Sequence, residues 1–433
     1  MAEHGDWKGR LEGKGARKAL AELYGAAAQG QAERYAKLAE QACRDLGAEP
    51  AARDPGAGLR FYSAPGRTEL GGNHTDHNRG RVLCAAVDLD IVACVAPVEG
   101  SAVRLVSDGY GRPIVVELSS LDKVPAESGT TAALVRGVAK KLAERGAKLR
   151  GFTGRLSSTV LPGSGLSSSA AVEVLLGTIM ADLAGIEVPP IEMARIGQFA
   201  ENEYFDKPCG LMDQTASAVG GVVAIDFADP SSPKVERIDY DFEEKGYALV
   251  VVNTGGSHAD LTADYAAIPA EMKAVAAFLG ASYLREVEPS LFVERGPEIR
   301  KACGDRALLR ALHFAAENAR VLEMKKALEA DDLGAYLKLV KKSGRSSWQV
   351  LQNVYAPRVP AEQGVTLALA LSERLIGKKG AWRVHGGGFA GTIQAYVPKS
   401  LSKAYAELMG RYFGPGSVIP IALRRSGALR VRI

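Results

Sequence analysis

The sequence predicts an α+β fold of two domains, in which helices and strands are mixed along the chain. Its 433 residues exceed the roughly 250–300 residues at which one hydrophobic core usually stops growing. Helical and strand-like segments follow each other without the regular strand–helix–strand rhythm of a doubly wound parallel sheet. We therefore expect mixed sheets and a functional site in the cleft between the two domains.

Composition and charge exclude several classes of protein. Apolar residues make up 47% and charged residues 24% of the chain, as in ordinary globular proteins. The net charge of +4 is too small for a general polycation that binds nucleic acid. No run approaches the roughly 20 apolar residues that a membrane span needs, and the five cysteines form no C-x-x-C pair. We expect a cytoplasmic monomer or weak homo-oligomer without nucleic-acid or membrane partners.

The first elements follow from apolar periodicity and from glycine and proline breaks. Apolar residues recur at helical spacing over residues 17–46, which predicts an amphipathic helical region at the periphery of the molecule. Three segments are β-branched and apolar between Gly, Pro and Asp residues, and they predict strands at 59–65, 81–98 and 102–109. The polar run at 65–80 is too rich in glycine for a helix and too polar for a buried strand, so we expect a loop there.

The remaining elements are predicted in the same way. They are a helix at 130–148, a strand at 151–162, a helix at 164–185, a strand pair around a polar link at 228–235, a largely helical region at 268–351, and a helix near 400–413 between strands. The link at 228–235 contains two prolines and is one plausible seam between domains.

Three glycine-rich segments carry most of the polar chemistry. The first is PGRTELGGNHTDHNRG (65–80) and the third is HGGGFAGTIQAYVP (385–398). In the second, LPGSGLSSSAAVEV (161–174), glycines allow a close backbone approach to an anion, and serines lie at a helix start that favours negative charge. This pattern is typical of a phosphate cradle, although a helix cap with spare serines is the alternative. It matches neither a Walker loop nor a dinucleotide fingerprint.

Two carboxylates lie between these segments. Asp213 precedes a helix-compatible stretch, and Glu201 falls twelve residues earlier on a helical segment. A kinase of small molecules needs one carboxylate near the acceptor hydroxyl and another that helps to hold magnesium. A helix cap for Asp213 and a solvated helix face for Glu201 are the alternatives.

The three segments, in this order, resemble the motifs of the galactokinase family within the GHMP small-molecule kinases. The segment CGLMDQ (209–214) is similar to the catalytic segment of that family, and the resemblance extends over roughly residues 58–433. It implies a two-domain GHMP kinase fold, which we divide into residues 1–215 and 216–433. It also implies that ATP and Mg²⁺ are used to phosphorylate the C1 hydroxyl of galactose.

The resemblance also implies a role for each site residue. Asp213 would lie beside the C1 hydroxyl as the base, with Arg67 as its electrostatic partner. The residues that bind the sugar would be Asn73, His74, Asp76, Gly210 and Tyr265. The ATP phosphates would lie against Gly163, Ser164, Gly165, Leu166, Ser167, Ser168 and Ser169. Ser169 and Glu201 would be the magnesium ligands.

The chain departs from the family pattern in the first segment. The family usually has glutamate before the HTD sequence, where this chain has Asn73, and tyrosine where it has His77. Because asparagine carries no charge, we expect relaxed tolerance at C6, including a carboxylate there. The alternatives are a kinase of another sugar, such as galacturonate or arabinose, and a silent sensor of sugar and ATP. A metal cluster of His74, Asp76 and His77 is disfavoured, because a tight loop rarely gives one ion three ligands.

Overall fold

The structure is a computed structural model that describes residues 7–47, 58–160, 165–256 and 261–433. The strands are β1 (Arg60–Gly71), β2 (Arg81–Pro97), β3 (Ala102–Ser107), β4 (Ile114–Glu117), β5 (Phe152–Ser158), β6 (Val222–Asp226), β7 (Lys234–Ile238), β8 (Tyr247–Asn253), β9 (Ala381–Val384), β10 (Thr392–Pro398), β11 (Val418–Ile421) and β12 (Leu429–Val431).

Helices account for most of the remaining described residues. They are α1 (Trp7–Glu12), α2 (Lys14–Tyr24), α3 (Ala28–Gly47), α4 (Thr131–Glu144), α5 (Ser168–Ala184), α6 (Pro190–Phe199), α7 (Met212–Val219), α8 (Thr262–Phe278), α9 (Leu291–Glu294), α10 (Gly296–Cys303), α11 (Asp305–Glu329), α12 (Leu333–Ser346), α13 (Gly364–Ile376) and α14 (Ser402–Phe413). Helices α6 and α12 each continue into a π-helical turn, at Ala200–Tyr204 and Ser347–Leu351. In the part of the chain that the structure describes, no helix combines the length and apolarity needed to cross a bilayer.

The strands form two sheets, which confirms the predicted α+β class. The larger sheet has the order β12-β1-β2-β5-β3-β4, and the hairpin β6–β7 joins it along β2. Only the β3–β5 pairing is parallel among the described strand pairs of this sheet. The smaller sheet has the antiparallel order β11-β8-β10-β9. One continuous apolar core extends from the larger sheet through α11 and α12 to the smaller one.

Strand pairing does not follow the predicted division at residue 215. The hairpin β6–β7 and the C-terminal strand β12 all belong to the larger sheet. The link at 228–235 joins the two strands of that hairpin, so the prediction of an inter-domain seam there is wrong. A proline-containing polar link is also what a hairpin connection requires, and local sequence does not distinguish the two.

The predicted loop at 65–80 is wrong for its first half, because β1 continues to Gly71. Its pairing with β2 shifts register between Pro65 and Arg67 and again between Glu69 and Gly71, and residues 61–71 are all buried. Such bulges redirect side chains at functional sites. Polar residues are accommodated in this buried strand because they have partners: Gln394 donates to Thr68 Oγ1 over 2.6 Å, and Arg383 pairs with Glu69.

The N-terminal region is helical, as predicted, but it is not peripheral. Helices α1–α3 cover the face of the larger sheet that presents Phe61, Val92 and Cys94, while α4 and α5 pack on the opposite face. Tyr24 Oη donates to Asp90 Oδ2 over 2.5 Å, and Arg34 Nη1 lies 2.7 Å from Asp90 Oδ1. These helices therefore complete the sandwich around the sheet and pair with a carboxylate buried in it.

Candidate active site

A bidentate ion pair between Arg67 and Asp213 forms the centre of the site. Strand β1 supplies Arg67, and the first turn of α7 supplies Asp213, whose side chain is 30% exposed. Arg67 Nε lies 2.6 Å from Asp213 Oδ1, and Nη2 lies 2.7 Å from Oδ2. Burial acts to raise the pKa of Asp213, but the Arg67 guanidinium and hydrogen bonds from Arg67 and Ser167 bring that pKa below its ordinary value. Asp213 is therefore a carboxylate at neutral pH.

The same arginine connects the first segment to the serine-rich one. Arg67 N donates to Leu166 O over 3.0 Å, and its Nη1 donates to Gly165 O. A side chain at Gly66 would approach within 2.9 Å of Leu166 O, so the two segments can touch only because that residue is glycine. Ser167 also donates through Oγ to Asp213 Oδ2. The structure thus brings the start of α5 directly against the Arg67–Asp213 pair.

The predicted phosphate residues fall into three groups. Gly163 and Ser164 lie outside the described residues. Gly165 and Ser167 both have positive φ, at 73° and 56°, and the side chain of Leu166 is buried in the core. A non-glycine residue at positive φ is costly and is often retained at functional sites. Ser168 and Ser169 begin α5, where free backbone N–H groups attract anions.

Ser169 and Glu201, which the family resemblance implies are magnesium ligands, lie in contact with each other. Ser169 Oγ donates to Glu201 Oε1 over 3.0 Å, and Gln214 Nε2 donates to Glu201 Oε2 over 2.9 Å. Glu201 lies on the π-helical turn after α6 and is 2% exposed. One hydroxyl and one carboxylate fit Mg²⁺, which usually takes one or two protein oxygens and completes its shell with phosphates and water. Lys207 Nζ, which the sequence did not single out, lies 2.8 Å from the same Glu201 Oε1.

Two of the predicted sugar residues, Gly210 and Asp76, lie against each other. A side chain at Gly210 would lie 2.5 Å from Asp76 Oδ2, so the segment before α7 touches the loop after β1. Asp76 Oδ1 accepts from His77 N over 3.0 Å. The backbone of His74 has φ 59°, in the left-handed region that non-glycine residues rarely adopt. Among the described residues, no group of three His, Cys, Asp or Glu side chains is arranged to hold a metal ion.

Three side chains of this region hold successive carbonyls of the third glycine-rich segment. Asn73 Nδ2 donates to Gly386 O over 2.7 Å, His74 Nε2 lies 2.9 Å from Gly387 O, and Tyr265 Oη donates to Gly388 O over 2.8 Å. Because a carbonyl only accepts, His74 must carry its proton on Nε2. Burial, and then His77, lower the pKa of His74 to about 4, so the imidazole is neutral.

Asn73 occupies a different place from the one the sequence suggested. It is 1% exposed, and both ends of its amide are engaged by the protein. Its Nδ2 lies 3.2 Å from Glu69 Oε1, and its Oδ1 accepts from Asn353 Nδ2 over 2.8 Å. We therefore assign Asn73 a positioning role in the loop between β1 and β2 (residues 72–80), which we call the sugar loop, in place of the predicted direct contact.

Sequence reasoning missed the side chains that support the site from behind. Glu69 belongs to the first glycine-rich segment, which the sequence predicts to be a loop. It is buried because β1 continues through it to Gly71. Its partner Arg383 comes from β9, and Glu317 from α11 accepts from the Gly72 backbone over 3.1 Å. Burial acts to raise the pKa of Glu317, but Arg320, His313 and Arg383 lower it to about 2. No local pattern reveals such partners, because they are separated by hundreds of residues.

Two family models and several curated relatives match this chain. The family model for the GHMP kinases N terminal domain matches residues 133–221, and the model for the galactokinase galactose-binding signature matches residues 53–97. A galactokinase of Glaesserella parasuis serovar 5 is 30% identical over 351 residues, which cover 81% of this chain and 88% of that protein. A galactokinase of Actinobacillus pleuropneumoniae serotype 3 is 32% identical over 77% of this chain and 84% of its own length.

Solved structures show the same fold. The crystal structure of Lactococcus lactis galactokinase complexed with galactose superimposes with a TM-score of 0.73 at 24% identity, covering 86% of this chain and 94% of that one. The Methanococcus jannaschii mevalonate kinase superimposes with a TM-score of 0.60 at 15% identity, covering 85% and 99%. The two family models and the curated relatives show that the chain belongs to the galactokinase family of GHMP kinases.

Proposed function

We propose that the protein transfers the γ-phosphoryl group of ATP to the C1 hydroxyl of galactose, giving galactose 1-phosphate and ADP. The observation that carries the proposal is the contact of one carboxylate with both halves of the site. Asp213 accepts from Arg67 and from Ser167 at the start of α5, while Gly210, three residues earlier, touches Asp76 of the sugar loop. A hydroxyl beside Asp213 would therefore face the anion-binding end of the helix.

The chemistry of Asp213 follows from its ionisation. A carboxylate with a lowered pKa is a good hydrogen-bond acceptor and a weak base. We propose that it orients the acceptor hydroxyl and takes its proton late in the transfer, when the oxygen has become more acidic. Arg67 would stabilise the negative charge on that oxygen. Phosphoryl transfer needs mainly positioning and charge stabilisation, and no covalent nucleophile is required.

The start of α5 suits a triphosphate. Gly165, Ser167 and Ser168 would lie along the phosphates, with Gly163, Ser164 and the Leu166 backbone completing the cradle. Ser169 and Glu201 would hold Mg²⁺, whose charge would neutralise the phosphate oxygens when it is bound. Both residues already share one hydrogen bond, so little rearrangement of the protein is needed to present two oxygens to the ion.

The central test is Asp213→Asn. We expect galactose to bind within a few-fold of the wild-type affinity and kcat to fall by about 10³ or more, because the amide neither accepts a proton nor carries charge. Isothermal calorimetry and a coupled ADP-release assay give the two values. Asp239→Asn is the matched control, because this side chain is 78% exposed. Near-normal turnover by Asp213→Asn would overturn the assignment.

Two rival functions can be tested with the same assay. A kinase of another C1-hydroxyl sugar would turn over galacturonate or arabinose faster than galactose in a panel of about a dozen sugars. A silent sensor would bind sugar and ATP without releasing ADP. The intact set of Arg67, Asp213 and the serine-rich start of α5 favours an enzyme, because binding alone does not require the ion pair.

A further inference from the structure

We propose that Lys207 is a further catalytic residue, which leaves Glu201 when the metal binds and donates hydrogen bonds to the phosphoryl group in transfer. This inference deepens the proposed function and rests on it. Lys207 lies in the segment FDKPCGL (205–211) between Glu201 and Asp213, and its side chain is 59% exposed.

The ammonium group and the Ser169 hydroxyl both contact one oxygen of Glu201. Lys207 Nζ lies 2.8 Å from Glu201 Oε1, and Ser169 Oγ lies 3.0 Å from that same oxygen. Because both groups contact the same oxygen, the ammonium lies close to the Ser169 hydroxyl. Ser169 belongs to the first turn of α5, which is where the phosphates are proposed to bind.

The other cation at this site is already committed. Arg67 uses Nε and Nη2 on Asp213 and Nη1 on the Gly165 carbonyl. Three of its five N–H donors are used in this way, and they hold the guanidinium toward the acceptor side of the reaction. Lys207 carries a mobile charge on four methylenes, which is what an exchange between two anions requires.

The present partner of Lys207 is one that a metal would take. Glu201 is 2% exposed and already accepts from Ser169 and Gln214. A divalent ion held by Glu201 would repel the ammonium, because two positive charges within a few ångströms of each other are unfavourable. A triphosphate bound at the start of α5 would be a new anionic partner for the ammonium.

The backbone around Lys207 is fixed, so the exchange involves the side chain alone. Asp206 has φ 64°, the Lys207 N–H donates to Glu201 O over 3.1 Å, and Pro208 restricts the backbone of Lys207, the residue before it. On the other side of Pro208, the Cys209 N–H donates a hydrogen bond to Asn202 Oδ1 over 2.7 Å, which also holds the backbone in place. The lysine is presented on a rigid turn with a movable end.

Lys207 takes no part in the bond changes or the proton transfer of the step that it assists. A bond forms between the acceptor oxygen and Pγ, the bond between Pγ and the β–γ bridging oxygen breaks, and the acceptor proton passes to Asp213. Lys207 remains an ammonium throughout. It stabilises negative charge on the transferred group, which is a contribution of the kind that arginine clamps make in other phosphoryl transfers.

The experiment compares Lys207→Met and Lys207→Arg with the wild type. We expect Lys207→Met to lower kcat by about 10² or more, with the galactose KM changed less than threefold, and Lys207→Arg to recover most of the loss. Lys123→Met is the matched control, since Lys123 pairs with Asp206, the residue next to Lys207. Melting temperatures verify that each variant is folded.

A binding measurement separates this inference from the proposed function. Calorimetry with a non-hydrolysable ATP analogue, Mg²⁺ and galactose should show weaker binding to Lys207→Met than to wild type. An unchanged kcat in Lys207→Met would overturn the inference, because Lys207 would then only fill the metal position in the free protein. If the wild type turns over no sugar, the proposed function fails, and the binding of the ATP analogue then tests Lys207 by itself. Weaker binding by Lys207→Met than by wild type supports the role of Lys207, and equal or tighter binding refutes it.

Discussion

Asn73 and Glu69 form a buried pair, in which the Asn73 amide lies 3.2 Å from a Glu69 carboxylate oxygen. Glu69 is in turn paired with Arg383, over 2.5 Å. Burial raises the pKa of Glu69, although Arg383 and Arg67 act against it. The acid behind the sugar loop is therefore at position 69, and residue 73 has to be a donor toward it. This relationship explains why a neutral amide stands where the family usually has glutamate.

Asn73→Glu is expected to be damaging, although it restores the usual family residue. Two carboxyl groups would meet in a buried position with one guanidinium between them, which we expect to cost about 3 kcal/mol of unfolding free energy. Glu69→Gln in the same chain should recover a large part of that loss, because it removes one of the two charges. Urea unfolding of the two single variants and the double variant measures the coupling.

Additive effects in this cycle would contradict the pairing. Glu236→Gln in the Asn73→Glu background is a suitable control, since Glu236 is a partly exposed residue of β7 that pairs with lysines. It should leave the destabilisation unchanged.

Removing Arg67 should move the pH dependence of the reaction. In the wild type, Arg67 holds the pKa of Asp213 below its ordinary value, so Asp213 stays ionised as the pH falls. In Arg67→Met burial still acts to raise that pKa and the cation no longer opposes it. We expect the acid limb of the kcat/KM profile to move to higher pH and kcat/KM at pH 7.5 to fall by about 10²–10³.

The control for Arg67→Met is Arg300→Met, which changes an exposed arginine on α10. A fall in kcat/KM by Arg67→Met at all pH values, with no movement of the acid limb, would mean that Asp213 does not set that limb. The kcat/KM of Arg67→Lys should lie between those of the wild type and Arg67→Met, because an ammonium keeps the positive charge but cannot form the bidentate contact.

Galacturonate is expected to be a poor substrate, contrary to the tolerance that Asn73 suggests from sequence. The donors of Asn73 and His74 are used on the Gly386 and Gly387 carbonyls, while Asp76 and Asp213 present carboxylates to the site. Such a site favours sugar hydroxyls, which can donate, over a sugar carboxylate, which cannot. We expect kcat/KM for galacturonate to be at least about tenfold below that for galactose.

A comparison of galactose, 6-deoxygalactose and galacturonate measures this preference directly. Turnover of galacturonate equal to that of galactose would show that the sugar contacts other groups. Raising the ionic strength serves as the control, since long-range repulsion is screened by salt and a local mismatch of donors and acceptors is not.

The N-terminal helices should be required for stability through Arg34. This residue pairs with Asp90, which is fully buried and also bonded to Tyr24 and Arg424. Arg34→Ala leaves less positive charge around that carboxylate, and we expect a loss of about 2–3 kcal/mol. Thermal unfolding should show a lower Tm, whereas Arg17→Ala, on the exposed face of α2, should have no measurable effect. An unchanged Tm in Arg34→Ala would contradict this role.

Much of the site could be predicted from the sequence, because its chemistry is carried by short local motifs. The helix that begins at Ser168 follows from a glycine-rich turn and an apolar run, and both are properties of adjacent residues. The family resemblance implies that Arg67 lies beside Asp213, and the structure places these two residues in contact. It also implies that Ser169 and Glu201 are magnesium ligands, and these two residues lie in contact as well.

The tertiary structure decided what depends on partners distant in sequence. Residues 65–71 look like a loop because they are polar, yet they form a buried strand because Gln394 and Arg383, more than 300 positions away, satisfy Thr68 and Glu69. The contacts of Asn73 with Gly386 and Asn353 likewise join residues far apart in the sequence. A polar side chain can be buried only where its hydrogen-bonding groups are met, and whether they are met is a property of the folded chain and not of the local sequence.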